Sequence, residues 1–223
     1  MKLLALDTST EACSVALAHD NTTIERFEVG QQHSGRVLLM VQDVLAEAGM
    51  TLTQLDAIAF GCGPGSFTGL RISAGVVQGL AFGANLPVVS ISSLAALAQG
   101  VDAIKILTAF DARMNQVYWA AYVRNAQGLV ELHGEEIVIA PDRVPALTET
   151  GWIGAGNGWD QYAGLLLERL QGQVINWRAQ CFPRARAVAE LAVNAYAKGM
   201  ALAPEQALPV YVRDEVAVKQ TKR

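Results

Sequence analysis

Two aspartates and one glycine-rich turn are the residues best suited to chemistry. Asp7 ends the apolar run Leu4-Ala5-Leu6, and Asp111 ends Thr108-Ala109-Phe110. A carboxylate at a strand end can hold a hard cation that bridges to phosphate, although aspartate also caps turns there. Between them lies Gly61-Cys62-Gly63-Pro64-Gly65-Ser66-Phe67-Thr68-Gly69-Leu70-Arg71, after an apolar run at 57–60 and before another at 72–82. A strand, a glycine turn and a helix start can aim free backbone N–H groups at an anion. A Walker loop needs Lys and then Ser or Thr where Leu70 and Arg71 stand, and the G-x-G-x-x-G pattern fails at Ser66. On spacing alone, a tight turn set by Gly and Pro is favoured. The second turn, Asp111-Ala112-Arg113-Met114-Asn115, has no glycine and bulky side chains, which argues against a backbone cradle for phosphate. The run Gly154-Ala155-Gly156-Asn157-Gly158 is explained equally well by a turn or by part of an adenosine-binding loop.

Other chemistries find little support. His19, His33 and His133 are isolated, with no H-x-x-x-H or H-E-x-x-H pair, so no metal site is expected. No G-x-S-x-G elbow is present, which leaves a serine hydrolase without a nucleophile. Cys13, Cys62 and Cys181 are far apart and form neither a disulfide framework nor a C-x-x-C site, as in a reducing compartment. Arg178, Arg184 and Arg186 near Trp177 and Phe182 could meet RNA phosphate, but a solvated helix start accounts for them more simply.

Composition bounds the rest. The 223 residues are 52% hydrophobic, enough for a core and for extra buried surface. A net charge of -4 disfavours a free-standing nucleic-acid binder. Asp7 interrupts the first apolar run too early for a signal peptide, and Gln78, Asn85 and Pro87 interrupt the longest one. A cytoplasmic protein with no membrane span is expected.

The elements that must position these residues come twice. Strands are expected at 2–6, 12–18 and 22–29, a helix at 33–48, a strand at 57–60, a helix at 66–83, a strand at 87–91 and a helix at 92–99. The pattern restarts with strands at 104–110, 116–123 and 129–139 and a helix at 142–148. A strand at 152–155, a helix at 159–170, a strand at 174–177 and a helix at 184–198 complete it. Each half is expected to run strand, strand, strand, helix, strand, helix, with its Asp at the first strand end. This duplication is the plan of an α/β, two-lobe actin-like ATPase (ASKHA, ribonuclease H-like) fold, a duplicated mixed sheet with flanking helices. The expected division is 1–102 for the first lobe, 103–205 for the second and 206–223 for a tail.

Two helices of the first lobe are apolar on both sides. On a helical wheel Val37, Val41, Val44, Leu45 and Ala48 face the sheet, while Leu39 and Ala46 point away. In the second helix Ile72, Val76, Gly79, Leu80 and Gly83 fall on one side, and Phe67, Arg71, Ala74, Gly75, Gln78 and Phe82 on the other. Glycines at 75, 79 and 83 each cost a helix roughly 1 kcal/mol relative to Ala. Close approach of another backbone would offset that. The wheel selects Leu39, Gln42, Asp43 and Ala46, with Phe67, Arg71, Ala74, Gly75, Gln78 and Phe82, as a partner surface.

Asp7-Thr8-Ser9 with Cys13-Ser14-Val15-Ala16, the run Gly63 to Arg71, Asp111-Ala112-Arg113 with Val117-Tyr118, and Tyr211-Val212-Arg213 together resemble the TsaB (YeaZ) family. Members are non-catalytic subunits in bacterial tRNA threonylcarbamoyladenosine (t6A) synthesis. The resemblance covers nearly the whole chain and is loose over 125–205. It implies pairing, through the two helices of the first lobe, with the catalytic relative TsaD or with a second copy. It also implies that the ATPase TsaE joins nearby and that tRNA is engaged only through the complex. TsaD holds a metal through an H-x-x-x-H pair whose positions correspond here to Ser93 and Leu97. The chain is therefore expected to be non-catalytic and to bind no cofactor alone, with ATP or ADP possible at a joint surface. Asp7, Thr8, Ser9, Gly63, Gly65 and Asp111 would be a vestigial phosphate site. The rival expectation is an enzyme active on its own, an actin-like ATPase or a glycoprotease-like peptidase.

Overall fold

The computed structural model describes residues 1–30 and 33–212. Arg213 of the family-like motif, and Lys219, Lys222 and Arg223 of the tail, lie outside the described residues. Two five-stranded sheets share one plan. The first comprises β1 (Leu3–Asp7), β2 (Ala12–His19), β3 (Thr22–Val29), β4 (Ala57–Gly63) and β5 (Val88–Ser92), in the order β3-β2-β1-β4-β5. The second comprises β6 (Lys105–Asp111), β7 (Val117–Arg124), β8 (Val130–Ile139), β9 (Trp152–Ala155) and β10 (Val174–Arg178), in the order β10-β9-β6-β7-β8. In both, an antiparallel three-strand meander is extended by two parallel strands. This repeated topology is that of the actin-like ATPase fold.

The strands at the centre of the first sheet read as unbroken apolar runs because both of their faces are covered. Helices α1 (His33–Glu47) and α2 (Phe67–Ala84) cover the outer face, where Leu4, Leu6, Val15, Leu17, Ile58 and Phe60 meet Val37, Val41, Val44, Ala74, Val77 and Ala81. Helix α5 (Ala185–Ala197) covers the inner face, packing Ala185, Val188, Ala189 and Ala192 onto Leu3, Ala5, Ala16, Ala57, Ala59 and Val89. Small residues on both sides allow the helix to lie close to the sheet. Helix α3 (Ser93–Gln99) sends Leu94, Leu97 and Ala98 into a core with Ile106, Phe110, Ala120 and Tyr122 of the second sheet. A sequence division at 102/103 therefore separates elements that pack together, since each half lends its last helix to the other's sheet.

The helix expected at 142–148 is only a 3-10 turn, Pro141–Arg143. Pro145 follows Val144 and holds it extended, with ψ 147°. Helix α4 (Asn157–Leu170) starts two residues earlier than expected. After α5 the chain returns to the first lobe. Leu202 bridges to Val88 by two backbone hydrogen bonds of 2.9 and 2.8 Å, and Ala207 is fully buried. Among the described residues no helix is long and apolar enough to cross a membrane.

Candidate functional site

A cleft of about 1000 Å³ lies where the two lobes meet, lined by Ser9, Gly65, Thr68, Asp111, Arg113 and Asn157 among others. The fold thus brings both Asp-bearing turns and the start of α2 to one place, as the repeated sequence pattern requires. Within the expected phosphate site, Ser9, Gly65 and Asp111 line the cleft, while Asp7, Thr8 and Gly63 are buried.

The first turn is closed on itself. Asp7 Oδ1 accepts hydrogen bonds from the Ser9 amide at 2.9 Å and the Ser9 hydroxyl at 2.7 Å. Its other oxygen, Oδ2, is buried on the side of the Ser93 hydroxyl but makes no well-formed hydrogen bond. Burial pushes the Asp7 carboxyl up to about 6, against the opposing pull of the Ser9 amide and hydroxyl and the Ser93 hydroxyl. Thr8 Oγ1 donates to the Gly69 carbonyl at 2.7 Å, and the Ser66 amide donates to the Ser9 carbonyl at 2.7 Å. These bonds clamp the N-terminus of α2 onto the β1–β2 turn. A Cβ at Gly69 would stand 1.9 Å from the Thr8 carbonyl oxygen, and one at Gly65 would stand 2.3 Å from that of Ser9. The glycines of this turn thus serve close backbone approach.

The second turn is equally committed. The Ala112 amide donates to the Gln116 carbonyl, and the Arg113 amide donates to Asp111 Oδ1, both at 2.9 Å. The Arg113 guanidinium pairs with Asp111 Oδ2 at 3.2 Å, and the Tyr162 hydroxyl donates to Oδ1 at 3.3 Å. Arg113, Met114 and Asn115 all adopt left-handed backbone, with φ of 61°, 54° and 57°. Such angles cost a side-chain-bearing residue about 1–2 kcal/mol each. With its first amides used internally and Arg113 and Met114 exposed, this turn does not fit a nucleotide phosphate. The Gly154–Gly158 loop has a steric explanation: a Cβ at Gly156 would meet the Ala109 carbonyl oxygen at 2.3 Å, and one at Gly154 would meet Trp159 at 2.5 Å. Its glycines let α4 begin directly against β6.

The basic and aromatic cluster dissolves into structural roles. Arg184 pairs with Glu25, and Arg178 Nη2 donates to the Asp102 carbonyl at 3.0 Å. Ser93 accepts from the Gly63 amide at 3.2 Å, and Leu97 is fully buried in the core.

The α1 positions selected on the wheel all face outward, while those on α2 divide. Leu39, Gln42, Asp43 and Ala46 are exposed, and so is Leu38, which the wheel did not select. On α2, Phe67, Arg71, Gly75 and Phe82 are exposed, with Phe82 at 60%. Ala74 is instead buried at 5% exposure, in line with Leu70, Val77 and Ala81 against the sheet. Ile72, Val76 and Leu80 flank that row, half-buried. A helix apolar all round offers a wheel no unique inward direction, and the small Ala74 and Ala81 allow the closer contact. Gln78 is half-buried and donates to the Ala207 carbonyl at 3.2 Å. At Gly75, Gly79 and Gly83 a Cβ would meet nothing within 4 Å, so among the described residues no backbone outside the helix approaches them.

Sequence reasoning missed a clasp at the end of the described chain. The Val210 amide donates to the Cys62 carbonyl at 2.7 Å, and a Cβ at Gly63 would stand 2.4 Å from the Val210 carbonyl oxygen. Arg71 Nε donates to the Tyr211 hydroxyl at 3.2 Å, and its guanidinium lies 3.8 Å over the Phe67 ring. No local pattern signals a contact between residues 140 positions apart.

Comparison with known proteins places this geometry. The family model described as "TsaD: tRNA N6-adenosine threonylcarbamoyltransferase" matches residues 27–220. The tRNA threonylcarbamoyladenosine biosynthesis protein TsaB of Escherichia coli K12 is 43% identical, over 99% of this chain and 98% of its own length. TsaB of Haemophilus influenzae is 39% identical over 99% of this chain and 97% of its own. The solved structure of YeaZ from Pseudomonas aeruginosa superposes with a TM-score of 0.86 at 47% identity, covering 94% of this chain and 99% of that one. With full-length relatives at this identity and the same two-lobe structure, the chain belongs to the TsaB (YeaZ) family.

Proposed function

We propose that this chain acts in tRNA threonylcarbamoyladenosine biosynthesis as a non-catalytic subunit. It pairs with the catalytic relative TsaD through α1 and α2 and helps to bring in the ATPase TsaE, with tRNA engaged through the complex. A cytoplasmic location fits this role. The observation that carries the pairing is the outward face of two adjacent helices: Leu38, Leu39, Phe67 and Phe82 are exposed there beside glycines with open space above them. Large apolar side chains left exposed on adjacent helices favour an interaction site. The glycines let a second helix come close, which offsets their cost in helix stability.

Two features support a non-catalytic role. Leucine has no atom that could ligate a metal, and Leu97 fills the core at a position where the resemblance to TsaD places a histidine. The turn at Asp111–Asn115 commits its Ala112 and Arg113 amides to Gln116 and Asp111, which argues against a phosphate cradle there. A nucleotide, if one takes part, belongs at the joint surface of the complex.

Size-exclusion chromatography with light scattering tests this on the chain alone and mixed with its cognate TsaD. A mixed complex that forms at the expense of any self-dimer is expected. Failure to form one, even with ATP and TsaE present, would sink the reading. Steady phosphate release by the chain alone, lost on changing Asp7 and Asp111, would replace it with an ATPase.

A further inference from the structure

Residues 202–211 follow the second lobe in sequence but are fastened to the first. Leu202 bridges to β5, the Ala207 carbonyl accepts from Gln78, and the Val210 amide bonds the Cys62 carbonyl at the end of β4. The last fastening is made by side chains. Arg71 Nε bonds the Tyr211 hydroxyl, the Arg71 guanidinium stacks on Phe67, and the Phe67 and Tyr211 rings lie 5.7 Å apart. Each member of this triangle touches the other two.

We propose that residues 207–211 form a strap whose Tyr211 is a positioning residue, holding Arg71 and Phe67 in place on the docking side of α2. The inference rests on the pairing role proposed above. The strap does not plug that face: among the described residues nothing fills the space over Gly75, Gly79 and Gly83, and Phe67 and Phe82 stay exposed. What it does is remove freedom. An unrestrained Arg side chain has many rotamers to lose on association. Fixing it before association lowers the cost of binding. Arginine and large aromatics are also the side chains on which binding energy concentrates. Phe67 lines the interlobe cleft as well, so the strap ties the cleft mouth to the α2 surface.

The test uses Tyr211→Ala, Tyr211→Phe and Val210→Pro in the full chain. Pairing with TsaD is measured by titration, and hydrogen exchange is followed over 207–211 by mass spectrometry. Tyr211→Ala is expected to raise exchange and weaken pairing about tenfold. Tyr211→Phe keeps the ring contact, loses the Arg71 bond, and should recover part of that loss. Val210→Pro removes the amide that bonds Cys62 and should weaken pairing although Tyr211 is intact, which a direct contact by Tyr211 alone would not explain. Free exchange of 207–211 in the wild-type chain, or normal pairing by variants whose strap has been released, overturns the strap. Absence of pairing in the wild-type chain overturns the functional reading, and the strap's role with it.

Discussion

Glu25 on β3 and Arg184 at the entry to α5 stand 159 residues apart and meet as an ion pair at 2.6 Å. The Glu25 side chain is 8% exposed. Its Oε1 also accepts from the Ser14 hydroxyl and the Arg186 amide, both at 3.1 Å, while Ser14 Oγ accepts from the Ala185 amide at 2.9 Å. The Arg184 guanidinium lies 4.1 Å over the Phe27 ring. This knot joins the last helix of the chain to the sheet formed by its first strands.

Removing Arg184 leaves a buried carboxylate without its cation. Arg184→Leu should cost about 2 kcal/mol, toward the low side for a buried pair because the arginine itself is half exposed. A fall of roughly 4–8 °C in the thermal midpoint follows. Glu25→Gln keeps hydrogen-bond capacity and should cost less. Thermal melts of both variants check the order.

Asp7 makes stability depend on pH with a definite sign. Its carboxyl titrates near 6 in the fold, above the ordinary 3.8, so the folded chain holds the proton more tightly than the unfolded one. The contribution is complete below the ordinary value and is lost as pH rises through about 6. Asp7→Asn should therefore gain on the wild type between about pH 4 and about pH 7, by up to about 3 kcal/mol. Denaturant titrations at both pH values read this directly, and a difference that does not change with pH would contradict it.

Two glycines of α2 should respond oppositely to one methyl group. Gly69→Ala drives a Cβ into the Thr8 carbonyl and should cost roughly 1–3 kcal/mol or more as overpacking. Gly75→Ala meets open space and should stabilise the monomer by about 1 kcal/mol. Chemical denaturation of the two variants distinguishes a packing glycine from a surface one.

Pairing and folding should separate on the same helix. Phe82→Asp and Gly75→Leu alter exposed positions and should abolish pairing while leaving the thermal midpoint within a few degrees of wild type. Ala74→Leu enlarges a buried side chain and should instead destabilise the fold, by about 1–3 kcal/mol. Light scattering and melting of the three variants give the comparison. Normal pairing by both surface variants would remove α2 from the interface.

The sequence by itself determined the duplicated α/β plan, because strand-end aspartates and apolar runs are local signals that repeat in each half. The inward row of α1, Val37, Val41, Val44 and Leu45, was also legible on a wheel, although the apolar Leu38 and Leu39 are exposed on its outer side. Tertiary structure decided where α2 faces, since a helix apolar all round is oriented by the fit of Leu70, Ala74 and Val77 to the sheet and not by its own pattern. It decided that α5 belongs with the first sheet, because Glu25 and Arg184 carry no sequence mark of their meeting. It decided the meaning of the glycines as well. Gly65 and Gly69 touch backbone, while Gly75, Gly79 and Gly83 touch nothing among the described residues, and that difference is a matter of neighbours that only the folded chain brings near.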